Sequence, residues 1–483
     1  MSSSLQARAS DPAGSGTSLP LLTTPEDPRM QVRHAIRTNH PITLVLKLAI
    51  PGILGMLTVG LKNFVDALFV GQVVGETALA AVAMTFPLGI LWTSIAGLIG
   101  VGSGSLLSRA IGAGDEETQK QVFGNLVGMV LIGSLIMSIL GYVTAEPAVR
   151  FMGGRGDIAT YGVAYLRVLM VGSVFFTMGV ATNMLIRSEG KMREAMIFSS
   201  LTVVANITFN AVFVVWLGWG VEGAALGTVA AMAVYSALNF WYFLSGRSSL
   251  PIQGFRIQLV PALMPEIFAV GSSAMLLQVM ALVEQTLVYQ TISQYGGDRD
   301  IAFAGASLRI LMLAVIPVFG FSQALQPVLG INFGANDYPR MKRSLIVFGI
   351  SGTLLMFLIW LPFQLVPEIP LRWLLPDMVF VPQDLLNFRI LTMLLPVLPF
   401  LHCGITLFQS IGNGRMAGLM ILLRQGALFA PILVILSRWA GLNGVYYSLS
   451  LMDGLMVGIV AVAIVLQMRQ LERRMVLDPT STV

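Results

Sequence analysis

The sequence predicts an all-α integral membrane protein: twelve transmembrane helices in two six-helix bundles, related by a pseudo-two-fold axis along the membrane normal. Three observations predict it. The composition is too apolar for water, the chain repeats itself at a shift of about 222 residues, and the basic residues gather in alternate loops.

Composition sets the solvent. Of 483 residues, 55% are hydrophobic and 11% are charged, with a mean hydropathy of +0.80. A soluble domain carries about 25% charged residues, so most of this chain is built for lipid. The lone cysteine, Cys403, excludes an internal disulfide. The net charge of +5 is modest, and no basic stripe with interleaved aromatics lies outside the apolar stretches, so no nucleic-acid partner is expected.

The elements follow in order. Residues 1–40 are rich in Ser, Pro, Gly and Thr, lack an apolar run, and read as a disordered cytoplasmic tail rather than a signal peptide. A spanning helix needs about 20 apolar residues. Twelve such stretches run at 43–71, 78–105, 121–143, 158–186, 192–217, 223–245, 263–293, 301–330, 342–366, 384–409, 416–437 and 443–468. The break at 246–262 is the longest of its set and reads as a cytoplasmic linker between an amino-terminal lobe, 41–245, and a carboxy-terminal lobe, 263–468. Residues 469–483 read as a second cytoplasmic tail.

The repeat pairs the lobes. Tyr165–Met170 (YLRVLM) returns as Asn387–Met393 (NFRILTM), Arg187–Ala195 (RSEGKMREA) as Gln409–Ala417 (QSIGNGRMA), and Gly112–Lys120 (GAGDEETQK) as Gly334–Lys342 (GANDYPRMK). Two similar membrane bundles side by side are a carrier layout. Loop charge gives the orientation. The side with both termini collects eighteen Lys and Arg, from Arg8 through Arg109, Lys120, Arg187, Arg340 and Arg343 to Arg474; the other holds Arg150, Arg155, Arg299, Arg372 and Arg438. The positive-inside rule places both termini in the cytoplasm, with the basic face against anionic headgroups. Six spans per lobe give the lobes one orientation. The abundant Gly (49) and Met (27) suit close helix packing and an adaptable cavity.

Ionisable residues inside spans are costly and by default face a cavity or a partner. The basic ones are Lys47, Lys62, Arg167, Arg309, Arg389 and Arg424; the notable acids are Asp66, Glu284 and Asp453. Asp66 leads. It follows Pro51 in the first span, and a proline removes a helical hydrogen bond and kinks the helix. A carboxylate there can take up H⁺ or hold Na⁺ with oxygen partners. Simple pairing with Lys62, one turn earlier, is the competing reading. Asn206 and Asn210 share one helix face, and Thr228 lies in the sixth span; amide and hydroxyl oxygens suit a hard cation, although an Asn pair also glues helices together. Glu284 sits near the repeat counterpart of Asp66 and is a second-lobe candidate, with pairing to Arg309 or Arg389 as the structural alternative. His402 reads as a hydrogen-bonded core residue.

The stretch LAIPGILGMLTVGLKNFVDALFVGQVVGETALAAVAMTFPL resembles the first two spans of the multidrug and toxic compound extrusion (MATE) transporters, and the resemblance extends over about residues 43–468. It implies a cation-coupled exporter of organic, cationic amphipathic compounds. Asp66 falls on the family's coupling carboxylate and Pro51 on the proline where the first helix bends. Asn206 and Thr228 fall on positions completing an amino-terminal cation site. Asn210 stands where many members carry Asp, which leaves H⁺ and Na⁺ coupling both open. Glu284 resembles an acid used by one branch in the second lobe. The expectation is a monomeric antiporter of the cytoplasmic (inner) membrane, with a small organic substrate, membrane lipid around it and no cofactor beyond the coupling ion. No GxxxxGK[ST] loop implies ATP, and no catalytic or metal-ligand cluster suggests an enzyme. The rivals are a flippase for lipid-linked glycan precursors, suggested by the basic residues at mid-membrane, and a channel.

Overall fold

The computed structural model describes residues 28–250 and 256–477. All its elements are helical. A short helix α1, Pro28–Thr38, precedes the first lobe. That lobe comprises α2 (Pro41–Val74), α3 (Glu76–Ala113), α4 (Glu116–Phe151), α5 (Gly156–Val171), α6 (Ser173–Ser188), α7 (Met192–Trp216) and α8 (Gly220–Leu244). The second comprises α9 (Met264–Tyr295), α10 (Asp298–Gly334), α11 (Tyr338–Leu365), the short α12 (Glu368–Leu374), α13 (Pro382–Ser410), α14 (Gly414–Ala440) and α15 (Asn443–Leu477). Lipid offers backbone groups no partner, so each span satisfies its own.

Eleven helices are long and apolar enough to span, and α5 with α6, bent by 56° at Gly172, completes a twelfth. The sequence reads that span as continuous. It breaks at a glycine held against α8, where an added Cβ would lie 2.3 Å from Val229.

The tails also differ from expectation. Residues 1–27 and 478–483 lie outside the described residues. Within the supposed first tail, however, α1 is helical and Ile36 is 3% exposed against the second lobe. Within the second, α15 continues to Leu477, and Lys342 bonds Glu472 at 2.7 Å. Of the linker, residues 251–255 lie outside the described residues; what is described is tied to the first lobe by Ser249 N–H on Glu189 and Val260 N–H on Asn125, both 2.8 Å.

The repeat reappears as geometry. Left-handed turns occur at Gly114 (φ 73°) and at its mate Asn336 (φ 56°), the one non-glycine with positive φ among the described residues. Each is followed by an acid that caps the next helix: Asp115 accepts from Thr118 N–H and its mate Asp337 from Arg340 N–H, both at 3.1 Å.

Glycines hold the lobes together. A Cβ at Gly112 would lie 2.1 Å from the carbonyl oxygen of Ile331, and one at Gly334 2.1 Å from that of Arg109. These are the same contact twice, since both residues of each pair are repeat mates. Gly102 meets Ile267, and Gly271 meets Leu98, equally closely. Nearby, Arg109 pairs with Glu266 and Ser105 donates to the Gln409 carbonyl. All this lies at the end of the bundle carrying the basic loops, called the basic end below. Toward the other end, no inter-lobe hydrogen bond among the described residues reaches past Gln278 to Thr93 (3.4 Å). That other end carries exposed Trp216, Trp373 and Trp439, placed for a membrane–water interface.

The first span belongs to both lobes. Pro41–Ala49 packs on α10 and α11 of the second lobe, and Ile50–Phe69 packs on α7 as well as α10. The expected kink at Pro51 takes the form of a π-helical turn, Val45–Ala49, inside a continuous helix. Pro51 has no N–H to give the Lys47 carbonyl, and the widened turn absorbs that loss.

Candidate functional site

The structure brings Asp66, Asn206, Asn210 and Thr228 together. Asp66 stands on α2 with 15% of its side chain exposed. Lys62, one turn earlier, bonds its Oδ2 at 2.7 Å. From α7, Asn210 Nδ2 donates to Oδ1 at 2.9 Å, and from α8 the Thr228 hydroxyl reaches Oδ2 at 3.4 Å. Asn206 stands behind, its Oδ1 accepting from Asn210 Nδ2 at 3.5 Å. The expected set and the structural alternative, pairing with Lys62, therefore coexist on one carboxylate. Pro51 lies on the same helix but contributes no group here; its place is the π turn near the lobe crossover.

Local structure positions the set. Asn206 and Asn210, four apart on α7, present one face. Gly227 on α8 leaves room for the Asn210 amide, because a Cβ there would lie 2.2 Å from Asn210 Oδ1 and push it aside. Two further π-helical segments flank the site: Val70–Val74 begins four residues after Asp66, and Ala211–Trp216 follows Asn210 directly. Such turns often mark functional positions. A hydrophobic cluster including Val70, Ala78, Tyr165, Val214 and Ala225 closes one side, and Tyr165 is near enough to feel the charge of Asp66.

Donors converge on the carboxylate: an ammonium, an amide and a hydroxyl. Of the three, only the Lys62 ammonium carries a charge that the carboxylate balances. Two polar atoms remain buried without a partner, Asn206 Nδ2 and Asn210 Oδ1. Such atoms are costly in a packed interior and mark a site that rearranges or takes up another group.

Glu284 joins a second cluster, with different partners from those expected. It faces neither Arg309 nor Arg389, whose side chains are exposed. Arg424, in the π turn Leu423–Ala427 of α14, lies 3.9 Å from Glu284 and donates to Asp453 on α15 at 2.8 Å. A cavity of about 110 Å³ adjoins it, lined by Phe319, His402, Arg424, Asp453 and leucines of α13. His402 Nδ1 lies 3.1 Å from the Leu398 carbonyl, as a core histidine should. The repeat offset maps Glu284 onto Lys62 and Arg424 onto Thr202. Glu284 and Lys62 are thus the one pair of repeat mates the two clusters share; Asp66 maps onto Val288 and Asp453 onto Ala231. Among the described residues, no group of three or more His, Cys, Asp and Glu could hold a metal ion.

The comparisons agree with this architecture. The MatE family model matches the chain twice, at residues 51–212 and 274–434, one match per lobe at the repeat offset. The chain is 26% identical over 408 residues to the multidrug export protein MepA of Staphylococcus haemolyticus, covering 84% of this chain and 89% of the relative. In shape it is similar to a crystal structure of MATE in the bent conformation (TM-score 0.86, 22% identity, 92% of this chain and 98% of that one). It is also similar to an outward-facing multidrug resistance MATE family transporter of the MOP superfamily (TM-score 0.81, 24% identity, 92% and 98%).

Proposed function

The chain belongs to the MatE family, and on that premise we propose that it is a cation-coupled antiporter that exports organic, cationic amphipathic compounds by alternating access. The observation that carries the reading is the Asp66 constellation: a mid-span carboxylate on the helix shared by both lobes, held by an ammonium, an amide and a hydroxyl. The relatives named as multidrug export proteins support the cargo class. The basic end, with both termini, faces the cytoplasm in the inner membrane, and the single chain is the working unit.

H⁺ is the coupling ion this geometry favours. The Lys62 ammonium sits 2.7 Å from Oδ2, where a Na⁺ would need to bind. A proton entering from outside neutralises Asp66 and releases the Lys62 ammonium. The outer part of α2 then repacks against α7 and α8, pivoting near the π turn before Pro51. Cargo leaves, the glycine seam at the basic end parts, and the carrier reloads from the cytoplasm. Na⁺ coupling would require Lys62 to withdraw and the Asn210 amide to turn its unpartnered oxygen inward. The flippase reading loses ground because Lys62 and Arg424 are both matched by acids.

The test is export of a fluorescent organic cation from proteoliposomes under separate H⁺ and Na⁺ gradients. Export driven by the proton gradient alone is expected. Asp66→Asn should abolish it, and should abolish drug resistance in cells at unchanged expression. Full resistance in that variant would sink the coupling role.

A further inference from the structure

Helix α1 carries a feature that the transport reading leaves unused. Its chain leads directly into the first span, yet it docks on the second lobe. Arg340, in the first turn of α11, donates to the Ile36 carbonyl through Nε at 3.0 Å and Nη2 at 2.8 Å, and also to the Asn39 carbonyl. Those carbonyls lie at the end of α1, where intrahelical N–H donors run out. One turn further along α11, Arg343 Nη2 lies 3.1 Å from His40 Nε2. The arm that begins the coupling helix is thus clasped by the opposite lobe.

The clasp leaves positive charge over. Arg340 is spent on backbone carbonyls. Arg37, His40 and Arg343 are exposed, and among the described residues neither Arg37 nor Arg343 has an acidic partner. The charges of both reach Arg340, with Asp337 the one acid acting on it. Lys342 is already matched by Glu472. Pro41 opens the first membrane span, so the cluster sits at the boundary of the hydrocarbon. A basic cluster next to a span is matched by the phosphodiester of an anionic lipid. Arginine's planar fork suits phosphate oxygens.

We propose that Arg37, from the arm of the first lobe, and Arg343, from the second, together bind the headgroup of an anionic phospholipid, with His40 beside Arg343. The lipid bridges the lobes where they are already closed. It anchors the inner part of α2, so that motion begun at Asp66 is taken up at the π turn before Pro51. The site rests on the cytoplasmic placement of the basic end, but its binding test does not depend on export.

The experiment measures binding of short-chain phosphatidylglycerol, phosphatidylcholine and inorganic phosphate to the purified full-length protein. Saturable phosphatidylglycerol binding is expected, weakened roughly 30-fold in Arg37→Ala/Arg343→Ala, since each basic contact contributes about a fivefold factor. Lys120→Ala/Arg247→Ala removes the same charge at the same end and should leave binding unchanged. Arg37→Gln/Arg343→Gln keeps the stem through Cδ with a polar, uncharged tip and should bind as weakly as the alanine pair, which separates lost charge from lost packing. Equal loss in the Lys120/Arg247 control, equal binding of phosphatidylcholine, or phosphate competing as tightly as the lipid would each overturn the proposal.

Discussion

Replacing Asp66 by Asn removes a charge from a carboxylate that Lys62 bonds at 2.7 Å, with the two side chains 15% and 12% exposed. The Asn210 bond survives, because an asparagine oxygen still accepts. The ammonium of Lys62 is left without a counter-ion. Exposed pairs contribute about 0–1 kcal/mol, and breaking a buried one costs about 3–5, so this site falls at about 2–3 kcal/mol. For a cooperative unit the size of one lobe, that lowers the melting temperature by roughly 5–10 °C. Cys403 supplies the assay. It is the sole cysteine and 2% exposed, so a thiol-reactive dye reports unfolding directly. Lys62→Met/Asp66→Asn should regain most of the lost stability, because both charges are gone, and should still fail to export. A single variant as stable as the parent would refute the ion pair. Export by the stable double variant would refute the carboxylate as the coupling group.

Gly112→Val should prevent the basic end from closing, since a Cβ there would sit 2.1 Å from a backbone oxygen. In a Cys403→Ser background, a cysteine placed at the fully buried Ser108 should become open to maleimide only when Gly112→Val is present. Arg424→Met leaves Glu284 and Asp453 unbalanced and should destabilise by about 2–4 kcal/mol, with Arg424→Met/Asp453→Asn restoring most of it on the same thermal assay. Pro51→Ala supplies the missing N–H and should slow turnover severalfold, with cargo affinity unchanged in equilibrium binding.

Much of this architecture is written in local pattern. Apolar length alone marks the spans, and the offset between GAGD and GAND foretells matching turns, even to Asn336 taking the conformation of Gly114. Asp66 stands out as a lone acid in an oily helix, and Asn206 with Asn210 as a pair at helical spacing. Thr228 is different: nothing near it in the chain points to α2, and its role follows only from resemblance or from the folded structure. The Arg424–Asp453 pairing is hidden for the same reason. The consecutive helices α14 and α15 meet the distant α9 to build it, and charge alone cannot choose Arg424 over Arg309 or Arg389. One signal was present, because the offset places Glu284 on Lys62. The arm α1 escapes a reading by average composition, since Val32 and Ile36 are too few apolar residues to register beside the Ser, Pro and Gly that precede them. The bend at Gly172 packs against a neighbour, Val229, that no local window contains.

The reciprocal contacts of Gly112 with Ile331 and of Gly334 with Arg109 have the form of an isologous dimer interface, in which two copies meet through the same patch. Because both lobes point the same way, a single-lobe ancestor could have paired with itself in the bilayer before gene fusion, with no inverted insertion required. The two lobes made today as separate polypeptides should therefore find each other through this seam.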